Sequence, residues 1–562
     1  MITFSKLLSS NTQWLEKQQT SILSAASIIT VATIASAISG LLIKRYLLSL
    51  FSATPVAQEQ LEAFWIAFQI PDMMFQLIVL GALSAAFIPI FTSKKSKNLQ
   101  EAFTMSSIMM NTLLFIFIMI GLGVFIFARE ITVLRTGEEF KPHQIDIVTN
   151  LTRIMIVAQF FFAISNFLTG ILQSFQRFIM PALSSIIYNL GIVLGVYFLS
   201  DTMGIYSAGV GVVLGAFLHM FIQFPLVLKL GFRYQFNLNW RYAGIGEFFR
   251  LMPPRVMAIG ASEIRKLLLG FFTTSLGNLS FLNMYLALNL MVIPIRFFGT
   301  PISQAALPFL SEKSEEKDKE LFKKLVLRSL HQIAFLALPA SVLLLILRVP
   351  VVRLVFGVVD FPWAATLVTS RLVAVVAISI TVQALVQLLI RAFYALKDTR
   401  TPLYVSLFDL LLYFLLCGGM VFYLNWGVMG IAVATTITAF VEFFLLLFLL
   451  NKKVSGFTHQ EFWVPQIKMV TASFFMAVFL YLPFKILDEL VFDTSRTIEL
   501  IGLTITTGSI GMLVYIYFAA LFDIHELKLI TNLVYSFDKW SKPLAASKEV
   551  LLDSTSDADD LT

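Results

Sequence analysis

Basic side chains stand inside, or at the ends of, stretches otherwise apolar enough to cross a bilayer: Lys44, Arg45, Arg250, Arg255, Arg265, Lys266, Arg296, Arg371 and Arg391. An ionised group at bilayer depth is costly, so such residues face a bundle interior or a water-filled cavity. A guanidinium pairs bidentately with phosphate oxygens and stays charged, while an ammonium acts as a point charge. A cationic interior therefore suits an anionic, phosphate-bearing headgroup, with Lys44, Arg45, Arg255, Arg265, Lys266 and Arg296 as candidate contacts. At 100° per residue, Arg255 and Lys266 lie within about 20° of each other and share one wall of their helix. Glu263, three residues before Lys266, is close enough to pair with it. For Arg45, Arg250 and Arg391 the competing reading is an interfacial side chain that reaches toward the headgroups.

Acidic residues are fewer in these stretches. Asp409 and Glu442, with Thr435 and Thr438 nearby in sequence, offer oxygen ligands that could hold a sodium ion or exchange a proton, and Glu263 joins that candidate set. The alternative is that Asp409 pairs with an arginine and Glu442 makes a helix–helix hydrogen bond. The single cysteine, Cys417, excludes a disulfide framework and a cysteine-based metal cluster. It reads as a small buried hydrophobe. An intramembrane enzyme would need an acidic metal cluster or a paired histidine and acid. The histidines (His143, His219, His331, His459, His525) are scattered. The expected class is a transporter, with no nucleic-acid partner and no cofactor beyond a possible sodium or proton.

The elements that position these groups must be membrane spans. The chain is 58% apolar and only 13% charged, against about 25% charged in soluble proteins. A span needs about 20 mostly apolar residues, which gives fourteen candidates: 25–48, 62–92, 103–128, 147–174, 179–199, 204–230, 247–275, 279–308, 325–349, 364–394, 402–424, 427–450, 465–484 and 497–522. Residues 1–24 read as an interfacial segment, and 523–562, ending in DSTSDADD, as a disordered tail.

The same signatures occur twice, about 220 residues apart. SAAFIP, ending at Pro89, returns as SQAALP, ending at Pro308; Pro181 answers Pro402, and Gly209 answers Gly430. The expected architecture is therefore an all-α polytopic membrane protein with two six-helix lobes, 25–230 and 247–452, and an additional pair of spans over 465–522. Because each copy holds an even number of spans, a pseudo-two-fold axis along the membrane normal should relate the lobes. Lysine and arginine concentrate in the loops holding Lys94–Lys97, Lys313–Arg328 and Lys452–Lys453, which places both termini in the cytoplasm.

The runs AFWIAFQIPDMMFQLIVLGALSAAFIPIF (63–91), GILQSFQRFIMPAL (170–183), LMPPRV (251–256), ISQAALPFLS (302–311) and RAFYALKDTRTP (391–402) resemble the MurJ (MviN) lipid II flippase family of the multidrug/oligosaccharidyl-lipid/polysaccharide exporter superfamily. The resemblance spreads over most of spans 1 to 12. It implies movement of an undecaprenyl-pyrophosphate-linked peptidoglycan precursor from the inner to the outer leaflet of a bacterial plasma membrane by alternating access. Membrane lipids and cell-wall synthesis proteins would be the partners, and spans 13 and 14 would hold the lipid tail in a groove. Glu62 matches the family's acidic residue in span 2, and Lys44 and Arg45 fall near its charged pair in span 1. Phe75 and Gln76 stand where the family has paired arginines, and Asn289 where it has an arginine in span 8. A drug or organic-cation antiporter of the same superfamily, and an inactive cell-wall scaffold, are the other classes in play; the antiporter should prefer acids to bases in its central spans.

Overall fold

The computed structural model describes residues 22–77, 87–95, 97–239, 242, 245–315, 318–358, 361–454, 456–457, 459–492 and 496–528. The expected leader over most of 1–24, the tail beyond 528 and residues 84–86 of the first SAAFIP copy lie outside them, as do the side chains of Arg250 and Arg255. Among the described residues there is no strand.

The first lobe comprises α1 (Ile22–Phe51), α2 (Pro55–Phe75), α3 (Ile88–Lys95), α4 (Leu99–Ile126), α5 (Ala128–Arg135), α6 (Pro142–Ser174), α7 (Ile179–Met203) and α8 (Tyr206–Lys229). The second comprises α9 (Ile245–Thr274), α10 (Ser280–Pro294), a π-turn (Ile295–Gly299), α11 (Thr300–Glu315), α12 (Lys319–Ile346), α13 (Arg348–Phe356), α14 (Trp363–Ala377), α15 (Ile380–Ala395), α16 (Arg400–Gly418), a π-turn (Gly419–Tyr423) and α17 (Gly427–Lys453). Helices α18 (His459–Leu490) and α19 (Thr497–Leu521) pair with each other and lean on α12. The Tyr515 hydroxyl of α19 donates to the Phe335 carbonyl at 3.0 Å. Where they are described, the residues of each of the fourteen expected spans are mainly helical. Among the described residues, eleven helices are long and apolar enough to cross a membrane, twelve if α14 and α15, bent by 46°, count as one span. Helix α9 has the length too, but it carries Arg250, Arg255, Glu263, Arg265 and Lys266.

The repeat extends to details that hydropathy does not encode. The short helices α5 and α13 begin at Ala128 and Arg348, following α4 and α12, which begin at Leu99 and Lys319. The α6–α7 corner turns on Gln176 at φ 59°, and the α15–α16 corner turns on Lys397 at φ 58°. In both corners a backbone amide reaches back to close the helix end, Arg177 to Leu172 and Asp398 to Phe393, each at 2.9 Å.

Local chemistry explains the breaks and the tight contacts. Thr54 caps α2 by accepting from the Ala57 amide at 3.2 Å, and Pro55 occupies the first turn, where its missing N–H costs nothing. Pro71, inside α2, leaves the Ala67 carbonyl without its helical donor. The Thr152 hydroxyl of α6 supplies one at 3.3 Å. Helices α7 and α8 meet through glycines: a Cβ at Gly191 would lie 2.3 Å from the Cα of Gly215, and one at Gly195 equally close to the Cα of Gly211. Small residues of this kind let backbones approach where no hydrophobic force drives helices together.

Candidate functional site

The two lobes meet at the end where α1 finishes and α2 begins; there α1 touches α13, α2 touches α9 and α10, and α5 touches α9. Helix α10 starts after Leu279, which has φ 57° and no side chain able to cap the turn. The first amides of a helix are orphan donors at its positive end. Glu62 of α2 supplies the cap across the lobe boundary: its Oε1 accepts from the Phe281 and Leu282 amides at 3.0 and 3.2 Å. Its Oε2 accepts from Gln144 Nε2 at 3.3 Å. Arg45 donates through Nη1 to the Leu354 carbonyl of α13 at 2.6 Å. The Gly137 amide donates to Thr274 Oγ1 at 2.9 Å, with the glycine pressed against the Ser275 backbone. Gln69 Nε2 donates to the Lys266 carbonyl at 3.2 Å, and Arg135 holds Gln69 by donating to its Oε1 at 2.9 Å. The bonds from Glu62, Arg45, Gly137 and Gln69 cross the lobe boundary, and those from Gln144 and Arg135 hold two of these groups in place from within the first lobe.

Beneath this seal the facing surfaces carry mixed charge. Lys266 pairs with Glu263 at 2.7 Å and with Asp72, from the opposite lobe, at 3.5 Å. Lys44 sits 5.7 Å from the Trp65 ring centroid, and that ring stacks on Tyr285 of the other lobe at 4.8 Å. Arg296 is exposed on the first π-turn, which continues directly from α10. Among the described residues neither Lys44 nor Arg296 has an acidic partner.

Arg265, next to Lys266 in sequence, points into the second lobe. Its guanidinium pairs with Asp409 of α16, donates to Thr438 Oγ1 of α17 at 2.7 Å, and lies 4.5 Å from the Tyr413 ring centroid. Thr435 spends its hydroxyl on its own helix, donating to Ile431 O at 2.8 Å. Arg391 donates to Thr300 O at 3.0 Å and Ser303 Oγ at 2.5 Å, so it ties α15 to α11 instead of reaching for the interface.

The predicted basic set thus divides. Lys44 and Lys266 sit where the lobes face each other, Arg296 is exposed on the first π-turn, Arg45 and Glu62 belong to the seal at one end, Arg265 is internal to the second lobe, and the side chain of Arg255 is outside the described residues. Asp72 and Arg135 were missed. Asp72 carried a signal, being a carboxylate directly after Pro71 inside a long apolar span.

A family model described as "Lipid II flippase MurJ" matches residues 47–498. The chain belongs to the lipid II flippase MurJ family. Among relatives, it is 28% identical over 461 residues to the probable lipid II flippase MurJ of Buchnera aphidicola subsp. Acyrthosiphon pisum, covering 81% of this chain and 88% of that one. With the lipid II flippase MurJ of Burkholderia cenocepacia it shares 23% identity, over 68% and 75% of the two chains. A solved structure titled as lipid II flippase MurJ in an inward closed conformation superimposes with a TM-score of 0.73 at 23% identity, over 88% of this chain and 98% of that one. An inward-facing multidrug resistance MATE transporter of the MOP superfamily shares the fold at TM-score 0.61 and 14% identity, over 76% and 94%.

Within this MurJ family frame, the three positions where the resemblance called for arginine hold neutral contacts. Phe75 packs against Phe162 with ring centroids 5.6 Å apart. Gln76 Nε2 lies 3.5 Å from Asp72 Oδ1, and Asn289 Nδ2 donates to its own helix at Tyr285 O, 2.7 Å away. Among the described residues, the basic groups where the lobes face each other are Lys44, Lys266 and Arg296.

Proposed function

We propose that this chain moves lipid II, a diphosphate-linked peptidoglycan precursor, from the inner to the outer leaflet of a bacterial plasma membrane, with both termini cytoplasmic. It does so by rocking its lobes and makes or breaks no covalent bond. The observation that carries this reading is that Lys44, set against the Trp65–Tyr285 stack that joins the lobes, and Arg296, exposed on the first π-turn, have no acidic partner among the described residues. A cation left unpaired within a membrane span is costly until a counter-ion arrives. A diphosphate is that counter-ion, bound by the Arg296 fork and the Lys44 point charge. Lys266 can turn from Asp72 toward the same phosphates, which loosens one link between α2 and α9.

The inside-positive loops put the sealed end on the outer side, so this state is closed outward. Opening outward then requires Glu62 to release the α10 amides and Gly137 to part from Thr274. The superfamily's organic-cation antiporters call for the opposite sign in the gap.

The test is rescue of a flippase-depleted bacterium by Lys44→Ala, Arg296→Ala and the double variant, with membrane abundance measured in parallel. Loss of rescue by the double variant at normal abundance is expected. Full rescue by all three would remove the diphosphate site from these residues.

A further inference from the structure

The interior of the second lobe holds oxygen groups of the type that bind a small monovalent cation. Asp409 is 5% exposed and Thr438 is fully buried, and Glu442 follows Thr438 by four residues on the same helix. They come from α16 and α17, and the third helix at this point is α9. What α9 contributes is Arg265. Its guanidinium pairs with Asp409 Oδ2, donates to Thr438 Oγ1 at 2.7 Å and covers the face of Tyr413 at 4.5 Å. Asp409 Oδ1 has no hydrogen-bond partner among the described residues. The arginine is the cation on the carboxylate's other oxygen, Oδ2.

We propose that Arg265 is a built-in cation. It takes the place a free sodium ion would hold between Asp409 and Thr438, joins α9 to α16 and α17 throughout the cycle, and leaves the second lobe with no requirement for sodium. A guanidinium keeps its charge at every physiological pH and presents several donors in a fixed fork, so it can serve a carboxylate and a hydroxyl together. A free ion must be captured from solution and stabilises a fold in proportion to its occupancy. A tethered one is always present. Removing either partner of a buried pair leaves the other charge uncompensated, so deleting the arginine turns the same oxygens into an unfilled cation site.

The inference concerns how the transporter of the previous subsection is powered, but its test needs no lipid substrate and stands or falls separately. The full-length protein is purified in detergent and its thermal midpoint measured in sodium, potassium and choline chloride at equal ionic strength. The wild type should give one midpoint in all three salts. Arg265→Ala should melt lower in choline and recover several degrees in sodium, and added methylguanidinium should recover it further. Arg265→Lys, which keeps a tethered charge, should remain insensitive to the choice of salt. If Arg265→Ala does not fold, the wild type and Arg265→Lys still decide. A wild type whose midpoint rises selectively with sodium overturns the proposal, and so does an Arg265→Ala protein that folds and responds to neither sodium nor methylguanidinium.

Discussion

Alanine at Gly137 should force the sealed end of the molecule open. A Cβ there would lie 2.3 Å from the Cα and 2.4 Å from the amide nitrogen of Ser275, with the Ser275 hydroxyl closer still at 2.1 Å. The first two are backbone atoms, which cannot swing aside as a long side chain would. Restoring ordinary contact needs the α5–α6 connection and the end of α9 to separate by about 1 Å. Overpacking of this kind costs about 1–3 kcal/mol. The separation also stretches the Gly137 amide bond to Thr274, now 2.9 Å, whose loss costs about 1 kcal/mol. Together these destabilise the sealed state by about 2–4 kcal/mol relative to the outward-open one, roughly a 30- to 1000-fold shift in the equilibrium. The readout is labelling of Ser280→Cys by a membrane-impermeant maleimide applied from outside, in a Cys417→Ala background. Ser280 is 7% exposed at the α10 N-terminus, beneath the Glu62 cap, and should react only when that cap lifts. Gly123→Ala is the control, since a Cβ at Gly123 meets nothing within 4 Å. Equal labelling rates in Gly137→Ala and Gly123→Ala would show that the lobes do not part at this seam.

The other predictions concern the cap and one ion pair at a helix corner. Glu62→Ala removes a helix cap worth about 0.5–2 kcal/mol, so Ser280→Cys labelling should rise less than with Gly137→Ala, by roughly 2- to 30-fold. Glu62→Gln, which keeps an acceptor oxygen, should fall between Glu62→Ala and wild type; a Gln variant labelling faster than the Ala variant would refute the cap. At the α15–α16 corner, burial alone would raise the Asp398 carboxyl, but Lys453 and the hydroxyl and amide of Thr401 outweigh it and hold it down to about 2. A carboxylate depressed on folding adds stability above its unfolded value and loses it as the pH falls through the folded one. Asp398→Asn should therefore lower the thermal midpoint at pH 7, and its deficit should shrink as the pH drops from about 4 toward 2. A deficit independent of pH would mean that the Lys453 pair contributes nothing.

What the sequence revealed and what it concealed follow from how far apart the interacting groups lie. The spans were legible because a span is a property of consecutive residues, and the repeat because copies share an offset. The short helices α5 and α13 were not, because eight or nine residues are too few to read as a span, although both sit where the lobes meet. The Glu62 cap joins residues 219 and 220 apart in sequence, and the Arg265–Thr438 bond joins residues 173 apart. No local pattern carries such pairings.

One piece of the site was within reach of helix geometry. Adjacent residues on a helix point 100° apart, so Arg265 and Lys266 could not both face the gap between the lobes. The structure sends Lys266 to Asp72 of the first lobe and Arg265 to Asp409 of the second. The two neighbouring cations on α9 therefore have different strengths of hold. The Lys266 contact with Asp72 is long, at 3.5 Å, and its ammonium is half exposed, so water or phosphate can displace it cheaply. The Arg265 contact is buried on the Asp409 side and shared with a hydroxyl and a ring. Helix α9 is thus fixed to the second lobe and only lightly held to the first, which is the asymmetry that a rocking motion between the lobes requires.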